Sequence, residues 1–328
     1  MQRNGITGPT DSLGVVPGIA YLGPEGTFTE AALRAIAGNG LIPASCASGA
    51  AGTEPVTPIA ADSTPAALAA VRSGEAEFAC VPIENSIDGS VLPTLDRLAD
   101  GTPLQIYAEL TLEVSFTIAV RPGTADSDVQ TVAAFPVAAA QVKRWLSGHL
   151  PKAQLVPANS NAAAAQDVAA GRADAAVTTA LAAQRYGLDT LAADIVDEPN
   201  ARTRFVLVGP PGPPPKRTGA DRTSVVLRLN NVPGALVSAM TELAIRDIDL
   251  TRIESRPTRT ELGTYMFFLD FVGHIDDDSV AEALRALHRR CADVRYLGSW
   301  PTGETAGASP PQFDEAAAWL DRLREGKP

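Results

Sequence analysis

The chain has 328 residues, 45% hydrophobic and 20% charged, which suits a soluble protein of two or three domains. Its formal net charge of −11 argues against nucleic acid as a partner, because phosphate binding needs clustered Lys and Arg. An anionic ligand would need a locally positive pocket within this negative field. The N-terminal MQRNGITGPTDSLGVVPG lacks the apolar segment of a secretion signal, and no apolar run approaches the ~20 residues of a membrane span. A cytoplasmic protein is expected. Cys46, Cys80 and Cys291 are scattered without metal-ligand spacing and read as reduced bystanders.

After a tail over residues 1–17, IAYLG (Ile19 to Gly23) reads as a strand. The following PEGTFTEAALRAIAG reads as a helix, with Thr27 and Glu30 spaced as a capping box. A Pro/Gly/Ser-containing loop from Pro43 to Pro58 leads to a short strand, and TPAALAAVRSG is a helix with Pro65 in its first turn. FACVPI is a strand, and ENSIDGSVLPTLDRLAD is a loop running into a helix. LQIYAELTLEVSFTIAV is rich in strand formers. Then come strand TVAAF, helix PVAAAQVKRWLSGHL, strand QLVPA, helix NAAAAQDVAAG, strand DAAVTT and helix ALAAQRYG. Strands alternating with helices predict parallel α/β sheets. Two such runs joined by a long strand-rich crossing, with a return at TRFVLVG, predict two lobes around a cleft. The expected boundaries put residues 18–93 and 190–210 in lobe one and 94–189 in lobe two.

GPPGPPPKRTGADR cannot be helix or central strand, since each Pro fixes φ and lacks a donor, so residues 211–222 read as a semi-rigid linker. From 223 to 301 the pattern is strand, helix, strand, strand, helix, strand, the ferredoxin-like βαββαβ order. Residues 302–328 read as an appendage ending in a short amphipathic helix.

The three histidines have no triad-like or ligand-like companions, and neither a P-loop nor a GxGxxG is present. Three polar stretches instead fall at strand ends: GPEGTFTE (Gly23 to Glu30), PIENSIDGSV (Pro82 to Val91) and NARTRF (Asn200 to Phe205). In open α/β sheets ligands bind at such ends, where helix N-termini offer unpaired N–H groups. Each stretch alone is compatible with a cap, a turn or a solvated strand end. Three together favour a cleft.

YLGPEGTFTEAA, VPIENSIDGSV, DEPNARTRF, NNVPGAL and IESRP occur in that order, and together they resemble prephenate dehydratase with a C-terminal ACT regulatory domain, over about Ile19 to Pro301. The resemblance implies a two-lobed α/β catalytic domain similar to periplasmic binding proteins, plus an α+β ferredoxin-like ACT domain. It implies decarboxylating dehydration of prephenate to phenylpyruvate in L-phenylalanine biosynthesis, with no cofactor and no metal. Some relatives carry an N-terminal chorismate mutase domain; the first motif here starts too early for one, so a monofunctional enzyme is expected.

The essential threonine of the family falls on Thr203, followed by Arg204 and Phe205. Thr203 is expected to donate to the leaving hydroxyl, Arg204 to clamp a carboxylate, and Glu84 to relay a proton. Gly26, Thr27, Thr29, Asn85, Ser86, Gly89, Asn200 and Phe205 complete the expected substrate site. One geometric tension stands, because adjacent strand residues point to opposite faces and Thr203 and Arg204 cannot both line a cleft from a regular strand. In the ACT-like unit, Pro233, Gly234, Ala235 and Leu236, with Glu254, Ser255, Arg256 and Pro257, resemble the family's L-phenylalanine site, which forms between two paired ACT domains. A homodimer or homotetramer is therefore expected. Arogenate dehydratase and a non-catalytic amino-acid-sensing binding protein are the alternatives.

Overall fold

The computed structural model describes residues 16–43, 56–198, 200–259, 263–302 and 314–327. The expected N-terminal tail up to residue 15, most of the 43–58 loop, Cys46 and the first part of the appendage lie outside the described residues.

The first lobe starts with strand β1 (Gly18–Leu22), helix α1 (Phe28–Gly38), β2 (Thr57–Ala61), α2 (Thr64–Ser73), β3 (Phe78–Asn85), the two-residue β4 (Gly89–Ser90), α3 (Leu92–Ala99) and β5 (Gln105–Glu113). The second lobe runs through β6 (Phe116–Val120), β7 (Thr131–Ala134), α4 (Pro136–Gln141), α5 (Lys143–His149), β8 (Gln154–Pro157), α6 (Asn161–Ala169), β9 (Ala175–Thr178), α7 (Ala180–Arg185) and β10 (Asp189–Ile195). The chain then returns to the first lobe as β11 (Arg202–Gly209).

The first sheet has the order β2-β1-β3-β11-β5, with β4 hairpinned onto β3, and the second has β10-β6-β9-β7-β8. These pairings move the expected lobe boundaries. α3 and β5 belong to the first lobe and β10 to the second, so the crossings lie at Val114–Ser115 and near residues 196–201. The sheets are also mixed, because β11 runs antiparallel to both β3 and β5, and β6 antiparallel to β9 and β10. The helix expected over residues 136–150 is broken at Val142, where φ falls to −125°.

Beyond the linker, β12 (Asp221–Arg228), α8 (Ala235–Ala244), β13 (Leu250–Pro257), β14 (Tyr265–Val272), α9 (Asp278–Arg290) and β15 (Asp293–Pro301) form one antiparallel sheet of order β13-β14-β12-β15. Helix α10 (Asp314–Arg324) follows. The linker is strapped down at several points. Tyr107 donates its hydroxyl to Pro210 O at 2.5 Å, Gly212 N donates to Gln105 Oε1 at 3.3 Å, and the His274 ring pairs with Pro215 O at 2.9 Å.

Strand alternation distributes the core. In β11, Phe205 and Leu207 pack with Ile19, Tyr21 and Leu33 under α1, whereas Val206 and Val208 point the other way. There they join a core that runs without a break into the sheet of the third domain through Phe268, Leu297 and Trp300. The third domain is thus packed against the first lobe as one continuous core. The contact is close: Gly298, with φ +135°, passes so near β5 that a Cβ would lie 2.3 Å from Ile106 O. Gly298→Ala is expected to push β15 off β5, lowering stability by more than about 2 kcal/mol. Urea unfolding followed by tryptophan fluorescence would measure it.

Candidate active site

Loop 23–30 of the first lobe meets the second lobe. Thr27 caps α1 by accepting from Glu30 N, although at 3.4 Å the bond is long. The Glu30 carboxylate turns back to accept from Gly26 N at 2.5 Å and also meets Arg34 and, across the lobes, Arg185 at 3.1 Å. Arg185 pairs with Glu25 as well, and Thr179 donates its hydroxyl to Gly26 O at 2.6 Å. Gly26 has φ +88°, and a Cβ there would sit 2.9 Å from Ala182 Cβ and 3.4 Å from Ala162 Cβ. The loop 23–30 is therefore seated on the first turns of α6 and α7. Phe28 adds an edge-to-face contact with Phe116 at 5.7 Å.

Thr203 lies on the α1 side of its sheet, as do Phe205 and Leu112, which pairs with Thr203 across β5. Across β3 it pairs with Asn85, whose Nδ2 donates to Thr203 Oγ1 at 2.9 Å. Asn85 Oδ1 accepts from Ile87 N and Asp88 N at 2.8 and 3.1 Å, which fixes the amide with its NH2 toward Thr203. The threonine oxygen thus acts as acceptor to Asn85, and its own hydrogen is left for another group. Asn161, which opens α6 beside Gly26, has a buried Oδ1 with no hydrogen-bond partner. Sequence reasoning passed over Asn161, Thr179 and Arg185. The run NSN before an alanine-rich helix was the available signal for the first.

Arg204 departs from its expected role. It points to the opposite face and is buried at the seam with the ACT domain, against three carboxylates: Asp270 at 2.6 Å, Glu84 at 3.0 Å and Glu109 at 3.3 Å. Only its Nε is without a partner. A guanidinium engaged this way, behind the strand that carries Thr203, does not clamp a substrate carboxylate in the interlobe cleft. Glu84 shares that face, so it does not adjoin the Thr203 hydroxyl as a proton relay would. Phe205 is core. Ser86 braces the lead-in to β11 by accepting from Arg202 N at 2.9 Å and donating to Asn200 O at 3.3 Å. Asn200 itself takes φ 75°, which Asn tolerates. Gly89, φ 79°, allows the 85–89 turn, and Thr29 is buried in the first turn of α1.

The seam is a buried charge cluster. Asp270 receives Arg252 through Nε and Nη2 at 2.9 and 3.2 Å and Ser224 Oγ at 2.7 Å. Burial alone would raise its pKa, but Arg204 and Arg252 hold it well below the usual carboxylate range. Glu109, which accepts from Trp300 Nε1 at 3.0 Å and Arg222 at 3.1 Å, is pushed up by burial to about 7 despite Arg204. Burial disfavours the Arg204 charge, yet Asp270 and Glu109 outweigh it and keep the group protonated. A cavity of about 250 Å³ opens beside this cluster, lined among others by Glu84, Arg202, Arg204, Arg222 and Arg252.

In the ACT domain, Gly234 with φ 78° opens α8, and a cavity of about 160 Å³ lies beside Asn231, Val232, Ala235, Leu236, Tyr265 and Phe267. Pro233 borders a second hollow with Ser238 and Arg290. The IESRP stretch lines neither. Glu254 and Arg256 face the catalytic domain, while Ser255 and Pro257 are exposed on the other face of β13. Among the described residues, no group of three or more His, Cys, Asp or Glu side chains is placed to hold a metal, and no helix is long and apolar enough to cross a membrane.

Two mixed lobes bridged by two crossings, with a four-stranded βαββαβ sheet packed on one of them, define a two-lobed α/β protein with an appended ferredoxin-like domain. Comparison with known proteins narrows it. The family model for prephenate dehydratase matches residues 19–212 and that for the ACT domain matches 223–289. The chain is 82% identical over 313 residues to a prephenate dehydratase from Mycolicibacterium vanbaalenii, covering 95% of this chain and 100% of that protein. It resembles the crystal structure of a prephenate dehydratase from Arthrobacter aurescens in complex with L-Phe, with TM-score 0.80, 40% identity, and 94% and 99% of the two chains covered. GqqA, described as a novel type of quorum quenching acylase, also matches, with TM-score 0.74, 28% identity, and 87% and 98% covered. The chain belongs to the prephenate dehydratase family.

Two expectations follow from the seam. Arg204→Ala leaves Asp270 and Glu109 buried without a principal cation, so stability should fall by roughly 3–5 kcal/mol, read as a lower urea midpoint. Glu109 is raised from its ordinary 4.5 to about 7, so the folded state binds more protons than the unfolded state within that window. Its contribution to stability is then lost as pH rises from about 4.5 to 7. Glu109→Gln should gain stability relative to the parent protein across that range; a difference independent of pH would contradict the assignment.

Proposed function

We propose that this chain converts prephenate to phenylpyruvate, carbon dioxide and water, and that L-phenylalanine acting at the ACT domain restrains it. The observation that carries the catalytic half is the Asn85–Thr203 pair, in which the threonine accepts from a fixed amide and keeps its own hydrogen for donation.

Prephenate carries a ring hydroxyl para to a quaternary carbon bearing one carboxylate, with a second carboxylate on the pyruvyl arm. Loss of carbon dioxide supplies the electron pair that aromatises the ring as the hydroxyl departs. The enzyme must therefore stabilise charge growing on the leaving oxygen more than it stabilises the substrate. Thr203 donates a hydrogen bond to that oxygen. A threonine hydroxyl is too weak an acid to surrender its proton outright, so the group polarises the C–O bond and the departing hydroxide takes its proton from solvent water. Glu84 and Arg204 act from behind the strand, holding its geometry. The carboxylates are received where the loop 23–30 meets the first turn of α6, at the positive end of that helix.

The regulatory half rests on the hollow at the N-terminus of α8, on the family's ACT domain, and on the solved relative's complex with L-Phe. Exposed Val237, Ile245 and Ile253, together with the free edge of β13, support pairing of two ACT domains in a homodimer or homotetramer. We place the enzyme in the cytoplasm.

The test mixes purified protein with prephenate at neutral pH, with and without L-phenylalanine, and follows phenylpyruvate, with arogenate and an N-acyl amide as parallel substrates. Prephenate turnover suppressed by L-phenylalanine is the expected result, and preferential cleavage of the amide would overturn the reading. Thr203→Ala should lower kcat by about 100-fold or more, since loss of one transition-state donor costs ~10²–10³. Thr203→Ser should retain most of the rate.

A further inference from the structure

β13 is an edge strand, paired to β14 on one side only, so its alternate residues serve two surfaces. Ile253, Ser255 and Pro257 are exposed, on the side open to a second ACT domain. Arg252, Glu254 and Arg256 all turn inward. Glu254 Oε2 accepts from Ser90 Oγ at 2.9 Å, and Arg256 forks onto Asp96 of α3 at 3.0 and 3.2 Å. Arg252 grips Asp270 and reaches Ser90 at 3.5 Å.

The contacts of Glu254 and Arg252 lead toward the catalytic pair. Ser90 lies in β4, which is zipped to β3 in the register Glu84 to Ser90 and Asn85 to Gly89. Asn85 is the side chain that orients Thr203. On the other route, Asp270 holds Arg204, the residue that follows Thr203 in β11. The turn bearing Asn85 and the strand bearing Thr203 are thus both tethered to the inner face of one strand, whose outer face carries half of the IESRP motif.

We propose that β13 positions the Asn85–Thr203 pair, with Glu254 and Arg252 as positioning residues through which events on the outer face of the ACT sheet reach turnover. This rests on the proposed dehydratase function and its effector. A strand is stiff along its length, so a shift of the outer residues carries the inner ones with it. Catalysis is steep in geometry, a misplacement of about 1 Å costing on the order of 100-fold. A ligand can change turnover only through different affinity for two arrangements, and making or breaking the Glu254–Ser90 bond would supply two.

The experiment compares full-length Glu254→Gln, Ser90→Ala, their double variant and Ser90→Thr with the parent protein. Four quantities are read: kcat and KM for prephenate, L-phenylalanine affinity by calorimetry, the depth of L-phenylalanine inhibition, and amide hydrogen exchange over 84–91 and 202–206 without ligand. The expected result is a loss in kcat of about 3–10-fold in each single variant with KM within about 2-fold, as expected for an interaction felt only at the transition state. The double variant should be no worse than the poorer single one. Exchange over 84–91 should quicken, inhibition should lose more than half its depth at saturating effector, L-phenylalanine affinity should hold, and Ser90→Thr should rescue.

Unchanged exchange and kcat would overturn the proposal. So would loss of L-phenylalanine affinity in Glu254→Gln, which would make Glu254 a ligand contact. If the parent protein neither consumed prephenate nor bound L-phenylalanine, the functional reading would fall, while the exchange data would still decide whether β13 holds residues 84–91.

Discussion

Adjacent side chains of a β-strand point to opposite faces, and at Thr203 and Arg204 the whole molecule is arranged around that constraint. One face of β11 presents Thr203 and packs under α1, and the other faces the seam with the ACT sheet. The hydroxyl and the guanidinium are a single peptide apart and serve different domains. The lobes, the linker and the ACT sheet follow from it: the strand must be central to be rigid, antiparallel to its neighbours because it returns from the second lobe, and covered on both faces. The ACT domain supplies the second cover.

The charge cluster at that cover is not obviously a gain in stability. Burying Arg204, Asp270 and Glu109 removes hydration that their mutual attraction offsets only with good geometry. The cluster is unevenly satisfied. Asp270 takes two guanidinium groups and a hydroxyl, whereas Glu109 sits at a pKa where its charge is half-formed near neutrality. What such a cluster does supply is specificity of docking, since an apolar sheet face can slide over another while a carboxylate between two arginines cannot. The continuous core through Trp300 and Phe268 holds the domains together, and the charges set their register.

Much of this was legible in the sequence where the cause is local. The Thr27–Glu30 cap, the prolines of the linker and the βαββαβ order of the third domain all depend on residues close in the chain. The polar strand ends fell on the loop that the structure seats against the second lobe and on the segments around Thr203. That Thr203 and Arg204 would face opposite ways followed from strand alternation, but what Arg204 meets was not legible, because Glu109 and Asp270 come from distant strands. Lobe boundaries failed for the same reason: whether β5 and β10 join one sheet or the other is settled by pairing, not by composition. In IESRP the period-two alternation was visible, but which half of it faces the catalytic domain was fixed by Ser90 and Asp96, some 160 residues earlier.

The strapped linker has a consequence for how the molecule resets. The ACT domain is joined to its docking surface by little more than ten residues, pinned at Tyr107, Gln105 and His274. A tether that short keeps the two surfaces at an effective concentration in the millimolar range or above (~mM for short linkers). Complete parting of the domains would be countered at once by recapture. Any adjustment between the two domains is therefore made with their surfaces still in contact, and the charges at the seam return them to the same register.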